Sequence, residues 1–221
     1  MLNNKKVILS FDLDNTLINN RKGIINSFNF ALKKFKLGKI NDFQIEKMIG
    51  LPLDEMFSKI SNKNTSELVK AFREYYGKKG IYQARLLPGI KEKLEEFEAY
   101  SFLMGVITSK KQEMAEKILK ILKINNFFDY VIGETEDRRI LGKLDPSIKL
   151  ILKKKYPEYR VIIIGDHPKD AMLATNLNCP FIGVLTGNHS AEDLLKYKEK
   201  ETIIVRSVKD ITIEIINALI K

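Results

Sequence analysis

Short apolar runs rich in β-branched residues recur along the chain at residues 7–11, 102–107, 161–164 and 181–185. Runs this short, without polar alternation, mark strands covered on both faces, as in a parallel sheet. Residues 130–132 and 202–205 carry weaker versions of the same pattern. Between the runs the period changes. Met114, Ala115, Ile118, Leu119 and Leu122 share one face of a helix over 112–122. Further helices are predicted over 146–154, 169–177 and 208–220. Strands alternating with helices specify an α/β fold with a parallel sheet and crossover helices.

One stretch breaks the alternation. From residue 17 to residue 87 no convincing strand occurs. Helical patterns cover 24–35, 42–49, 53–60 and 65–76, the last with Thr65 as candidate N-cap. Pro88-Gly89 marks the return to the α/β pattern. The expected organisation is therefore an α/β core from residues 1–16 and 88–221, with an all-helical insert over 17–87.

Composition narrows the function classes. Of 221 residues, 44% are hydrophobic, enough for a real core. A single cysteine excludes a disulfide framework, a Cys-based zinc site and an iron–sulfur centre. Two histidines leave little for a His-rich metal site. Lys5 and Lys6 precede an apolar run, but Asp12 and Asp14 interrupt it, and no run approaches a membrane span of about 20 residues. The chain reads as soluble and cytoplasmic, with no membrane partner. Its net charge of +10 would suit nucleic acid, yet no aromatic-interleaved basic stripe or nucleic-acid motif accompanies it.

The first strand ends in Asp12-Leu13-Asp14-Asn15-Thr16-Leu17. Two carboxylates thus follow a buried strand at the sheet edge where α/β folds bind ligands. Placing them there is costly unless a cation or protons offset the repulsion. These six residues alone read equally well as a turn. The next strong strand ends in Thr108-Ser109-Lys110. Gly142-Lys143-Leu144-Asp145-Pro146 precedes a helix, and 161–164 runs into Gly165-Asp166-His167-Pro168-Lys169-Asp170. An acid pair, a hydroxyl, a lysine and a second acid pair follow in that order.

This series resembles the haloacid dehalogenase superfamily over nearly the whole chain. Gly183-Val184 and Gly187 fit the same pattern, and Gly50-Leu51-Pro52-Leu53 is similar to the cap loop of phosphoglycolate phosphatase-like members. The resemblance implies a Rossmann-like, doubly wound core with a helical cap. It implies an aspartyl-phosphate on Asp12 and a Mg²⁺ held by the Asp12 carboxylate, the Asp14 backbone carbonyl and Asp166. Asp14 would protonate the leaving oxygen and then activate water. Thr108 would hydrogen-bond phosphate and Lys143 would supply a point charge. Asp170 would bind the metal through water or orient Lys143. Thr16, Ser109, Arg21 and Gly50 are expected on the substrate side. Asn15 stands where Gly is commoner, His167 where Ser is frequent, and Leu144 where Pro is frequent.

Asp14 also discriminates within the resemblance. The dehalogenase and phosphonate-hydrolysing branches lack a second Asp there. Sugar phosphomutases carry a histidine about twelve residues past the nucleophile, where this chain has Ile24. The expected activity is Mg²⁺-dependent hydrolysis of a small phosphorylated metabolite. A phosphomutase and a non-catalytic binding protein on the same fold are the alternatives. No oligomeric state is read from the sequence. Residues 17–87 hold 14 Lys and Arg against 6 Asp and Glu, so most of the positive charge belongs to the insert. A basic lid over an acidic floor would attract anionic esters.

Overall fold

The computed structural model describes residues 6–61, 65–135 and 140–221. From the N-terminus come β1 (Val7–Phe11), β2 (Ile18–Asn19), α1 (Arg21–Lys34), α2 (Asp42–Met48), α3 (Leu53–Ser58), α4 (Thr65–Lys78) and β3 (Arg85–Leu86). Next are α5 (Ile90–Ala99), β4 (Leu103–Lys111), α6 (Gln112–Ile121), β5 (Tyr130–Glu134) and α7 (Ser147–Lys155). The chain closes with β6 (Arg160–Gly165), α8 (Pro168–Leu177), β7 (Phe181–Val184), α9 (Ala191–Leu195), β8 (Thr202–Val205) and α10 (Ile213–Leu219).

Six strands form one parallel sheet in the order β5-β4-β1-β6-β7-β8. β1 is buried along its whole length because it pairs on both edges, with β4 and with β6. That is why its sequence is apolar on both faces. Its one polar side chain, Ser10, is satisfied by the Tyr130 hydroxyl. The Tyr130 ring lies directly over Gly105, where an added Cβ would come within 2.1 Å of it. From β1 the chain winds outward through β4 to β5, then returns to the other side of β1 and continues through β6, β7 and β8. The winding therefore reverses between β1 and β6, the place where open α/β sheets leave a crevice at their carboxyl ends. This is the Rossmann-like architecture expected.

The chain divides into two compact units, Met1–Ile18 with Leu86–Lys221, and Asn19–Arg85. The sheet belongs to the first. The second is built from α1 to α4, with Phe28 stacked on Phe57 at 4.2 Å between ring centroids and Phe72 edge-on to Phe57. Gly23 of α1 meets Gly80 closely: a Cβ at Gly23 would lie 2.3 Å from the Gly80 carbonyl oxygen.

Several elements differ from expectation. α5 was not predicted, although Ile90, Leu94 and Phe97 are its buried face. Thr65 is already helical in α4 rather than its N-cap, and residues 62–64 lie outside the described residues. The pattern over 208–220 is not one helix. A 3₁₀ turn spans Val208–Asp210, and Thr212 then caps α10 by accepting the Ile215 N–H. β4 runs on to Lys111, past its apolar run, because Lys111 pairs with Glu134 of β5 beyond an irregularity. Among the described residues no helix is long and apolar enough to cross a membrane.

Candidate active site

The parallel register brings three strand ends together. Phe11 aligns with Val106 on β4 and with Ile164 on β6. The Asp12 N–H continues the ladder to the Ile164 carbonyl at 2.8 Å. Asp12, Thr108 and Asp166 therefore emerge at one edge. The turn after Asp12 closes on itself, with the Leu17 and Ile18 N–H groups donating to the Leu13 carbonyl. It passes through Asn15 at φ 57°, a left-handed conformation that asparagine tolerates. The Thr186 hydroxyl donates to the Asn15 carbonyl and fastens the turn to the loop after β7.

Lys143 lies at the centre. Its Nζ is 2.6 Å from Asp12 Oδ1 and 2.6 Å from Asp170 Oδ1. Asp170 reaches this position as the third residue of α8. Its Oδ2 accepts the His167 N–H at 3.1 Å, while His167 Nδ1 accepts the Lys169 N–H at 3.0 Å. This reciprocal cap, with Pro168 opening the helix, satisfies donors that a helix start leaves orphaned. One carboxylate thus starts a helix and grips the lysine. Asp166 accepts from the Thr16 hydroxyl at 2.9 Å, and Thr16 is fully buried. Gly165 and Gly187 make room: a Cβ at Gly187 would fall 1.9 Å from Asp166 Oδ2, and one at Gly165 would fall 2.2 Å from Asp170 Cγ.

The electrostatics ask for more positive charge. Ligand oxygens of Asp12, Asp166 and Asp170 lie within 4.8 Å of one another, and all three residues are buried. Among the described residues one buried ammonium faces these three carboxylates, leaving two negative charges. Burial, with the neighbouring acids, pushes the Asp12 carboxyl up to about 7 against the opposing pull of Lys143. Burial followed by Asp12 and Asp170 pushes Asp166 well above the ordinary carboxylate range. Burial works to lower Lys143, but Asp12 and Asp170 outweigh it and hold the amine charged. A buried oxygen cluster with two uncompensated charges fits a hard divalent cation such as Mg²⁺.

Asp14 stands apart from this cluster. Its Oδ2 pairs with Lys110 Nζ at 2.9 Å. Thr108 is buried, and its Oγ1 accepts the Lys110 backbone N–H at 3.2 Å. Ser109 is exposed. Arg21 opens α1 and Gly50 sits at φ 109° between α2 and α3, both in the Asn19–Arg85 unit. Leu144 packs against the hydrophobic cluster under α7 and α8. His167 stays neutral, with burial and then His189 lowering it to about 3. The rings of His167 and His189 meet edge-to-face at 4.5 Å.

Sequence reasoning missed Lys110 as a site residue. A signal existed, because Thr108 and Lys110 are two residues apart at a strand end and such residues share a face. Thr186 was missed for a different reason: nothing local in its sequence foretells a bond to a turn 171 residues away.

Comparison with known proteins agrees with this geometry. The family described as haloacid dehalogenase-like hydrolase matches residues 9–184. The chain is 28% identical to a phosphoglycolate phosphatase of Aquifex aeolicus, covering 75% of this chain and 74% of that protein. It is 25% identical to the pyrophosphatase PpaX of Halalkalibacterium halodurans, covering 75% and 77%. Among solved structures, a haloacid dehalogenase-like family hydrolase of Streptococcus pneumoniae superposes with a TM-score of 0.83 at 30% identity, covering 98% and 99%. With a family match that spans the sheet edge and every residue of the Asp12–Lys143–Asp166–Asp170 cluster, the chain belongs to the haloacid dehalogenase-like hydrolases.

Proposed function

We propose that the chain is a Mg²⁺-dependent phosphatase that hydrolyses a small phosphate monoester through an aspartyl-phosphate on Asp12. The observation that carries this reading is the placement of Asp12 Oδ1 at 2.6 Å from an ammonium, inside a buried cluster of three carboxylates. Asp12, Asp166 and, through water, Asp170 would hold the metal, together with the Asp14 backbone carbonyl. Bound Mg²⁺ supplies positive charge that offsets the developing negative charge on the phosphoryl oxygens. Lys143 adds a fixed charge beside the attacking carboxylate, and Asp170 orients it. Asp14 gives its proton to the leaving oxygen, then takes one from the water that cleaves the acyl phosphate. Thr108 and Ser109 are the hydroxyls of the β4 edge available to the phosphate. Thr16 acts by positioning Asp166, since its hydroxyl is spent there.

The helical unit, with Arg21 and Gly50, is the proposed lid and specificity element. The names phosphoglycolate phosphatase and pyrophosphatase among its relatives support a small phosphorylated metabolite as substrate. Phosphate release from a panel of monoesters should require Mg²⁺ and cease with a chelator. Asp12→Asn should lower kcat by about 1,000-fold or more with the fold intact by circular dichroism. Full activity in Asp12→Asn, or in the chelated enzyme, would overturn the reading.

A further inference from the structure

The chain has two histidines, and the fold brings them together. His167 stands between β6 and α8, directly after Asp166, and is the N-cap of α8. His189 lies in the loop between β7 and α9, beside Ser190, the N-cap of α9. The two rings meet edge-to-face, with centroids 4.5 Å apart and an interplanar angle of 78°. Each ring also belongs to a helix start. His167 Nδ1 accepts the Lys169 N–H at 3.0 Å. His189 Nδ1 is 4.0 Å from Asp193 Oδ2, the oxygen that accepts both the N–H and the hydroxyl of Ser190.

Imidazole is not among the side chains usually found at an N-cap. A serine hydroxyl is bonded directly to Cβ and needs no support. The imidazole Nδ1 is one atom further out, on a ring whose χ2 torsion is broad. Turned over, the ring would offer a carbon where Nδ1 stood, and the Lys169 N–H would lose its acceptor. A neighbour that stops the ring from turning makes imidazole serviceable as a cap. The His189 ring, itself placed beside the α9 cap, is that neighbour.

What the cap holds is Asp170. Its Oδ2 accepts the His167 N–H at 3.1 Å, and its Oδ1 lies 2.6 Å from Lys143 Nζ. The two oxygens of one carboxylate are divided between a helix start and an ammonium. Fraying of the first turn of α8 would release Oδ2, let the carboxylate rotate, and take from Lys143 its fixed place beside Asp12.

We infer that His167, its ring braced by His189, is a positioning residue that acts through Asp170 to hold the Lys143 ammonium beside Asp12. The kinetic side of this inference rests on the phosphatase reading above, and there the pair governs kcat rather than KM.

Two measurements test it. One is kcat and KM for phosphate release at saturating Mg²⁺, on the best substrate of a monoester panel. The other is acetylation of Lys143 in the metal-free protein, followed by peptide mass spectrometry. His167→Phe keeps a ring against His189 but offers no acceptor. It should lower kcat about tenfold with KM within about twofold of the wild type, and speed Lys143 acetylation about fivefold or more. His167→Ser restores an acceptor and should keep kcat and acetylation within about threefold of the wild type. His189→Ala should lower kcat about threefold in the wild type and leave it unchanged in His167→Ser, where no ring needs bracing. His167→Ala repeats the first comparison should His167→Phe fail to fold. A lower Tm in His167→Phe with kcat and acetylation unchanged would make His167 a helix cap and nothing more, and would overturn the inference. So would an equal loss from His189→Ala in both backgrounds. A wild-type protein that releases phosphate from no monoester overturns the phosphatase reading, and acetylation then decides the positioning role: faster labelling in His167→Phe but not in His167→Ser upholds it, and equal labelling overturns it.

Discussion

Lys143 and Lys110 make nearly the same bond in different surroundings. Each ammonium lies within 3 Å of an acid at the same sheet edge, 2.6 Å for Lys143 and 2.9 Å for Lys110. The Lys143 trio is sealed, whereas Lys110 and Asp14 keep partial access to solvent. Solvent, not distance, separates them. Where water is excluded, an ammonium cannot be removed without stranding its partners. Where water can enter, the same pair is weak and exchangeable. The sealed lysine is part of the structure of the site; the other stands where water still reaches it.

The strongest way to break this comparison is to delete the sealed lysine. Lys143→Met should destabilise the fold by about 3–5 kcal/mol and abolish measurable turnover, because it leaves buried acids uncompensated. Denaturant unfolding reads the first effect and phosphate release the second. A loss below about 1 kcal/mol would make Lys143 no different from a surface pair.

The next effect concerns the two uncompensated charges. Asp12 and Asp166 are raised above their unfolded values. For such acids the metal-free fold is most stable below the ordinary carboxylate pKa and loses stability as pH rises through the folded value, about 7 for Asp12. On the proposed reading, Mg²⁺ would replace the protons. It should raise Tm by on the order of 5 °C at about pH 8, and by clearly less at about pH 5. Thermal melts with Mg²⁺ and with a chelator measure both shifts. Equal shifts at the two pH values would detach the metal from these carboxyls.

The smallest effect sharpens the other side. Lys110→Met should cost about 1 kcal/mol or less in unfolding free energy, since its pair stays partly solvated. A loss as large as that of Lys143→Met would erase the distinction.

Much of this architecture was legible in the chain because burial leaves a mark on composition. The Val7–Phe11 and Val161–Ile164 runs are apolar because each strand is covered on both faces, and the acids at their ends follow from where those strands stop. α5 was also legible, in Ile90, Leu94 and Phe97, but it begins directly at the Pro88-Gly89 break, whose turn signal masks the start of the helix. The two lysines show what a sequence does not carry. As residues they are the same, but Lys143 bridges two buried acids while Lys110 pairs with Asp14 where water still reaches it. Thr212 illustrates a subtler limit: the apolar period runs on from Val208, and the break appears only once the cap geometry is seen.

Asp170 has a consequence for timing. The carboxylate that caps the start of α8 is the one that holds Lys143, so the helix cannot form its N-terminus without delivering the acid to the site. The Lys143 side chain, long and rotamer-rich, is thereby immobilised when the core folds. Its conformational entropy is lost then and not at each encounter with substrate. On the proposed reading, every substrate that arrives would find the charge already in place, its binding free energy left for orienting the leaving group.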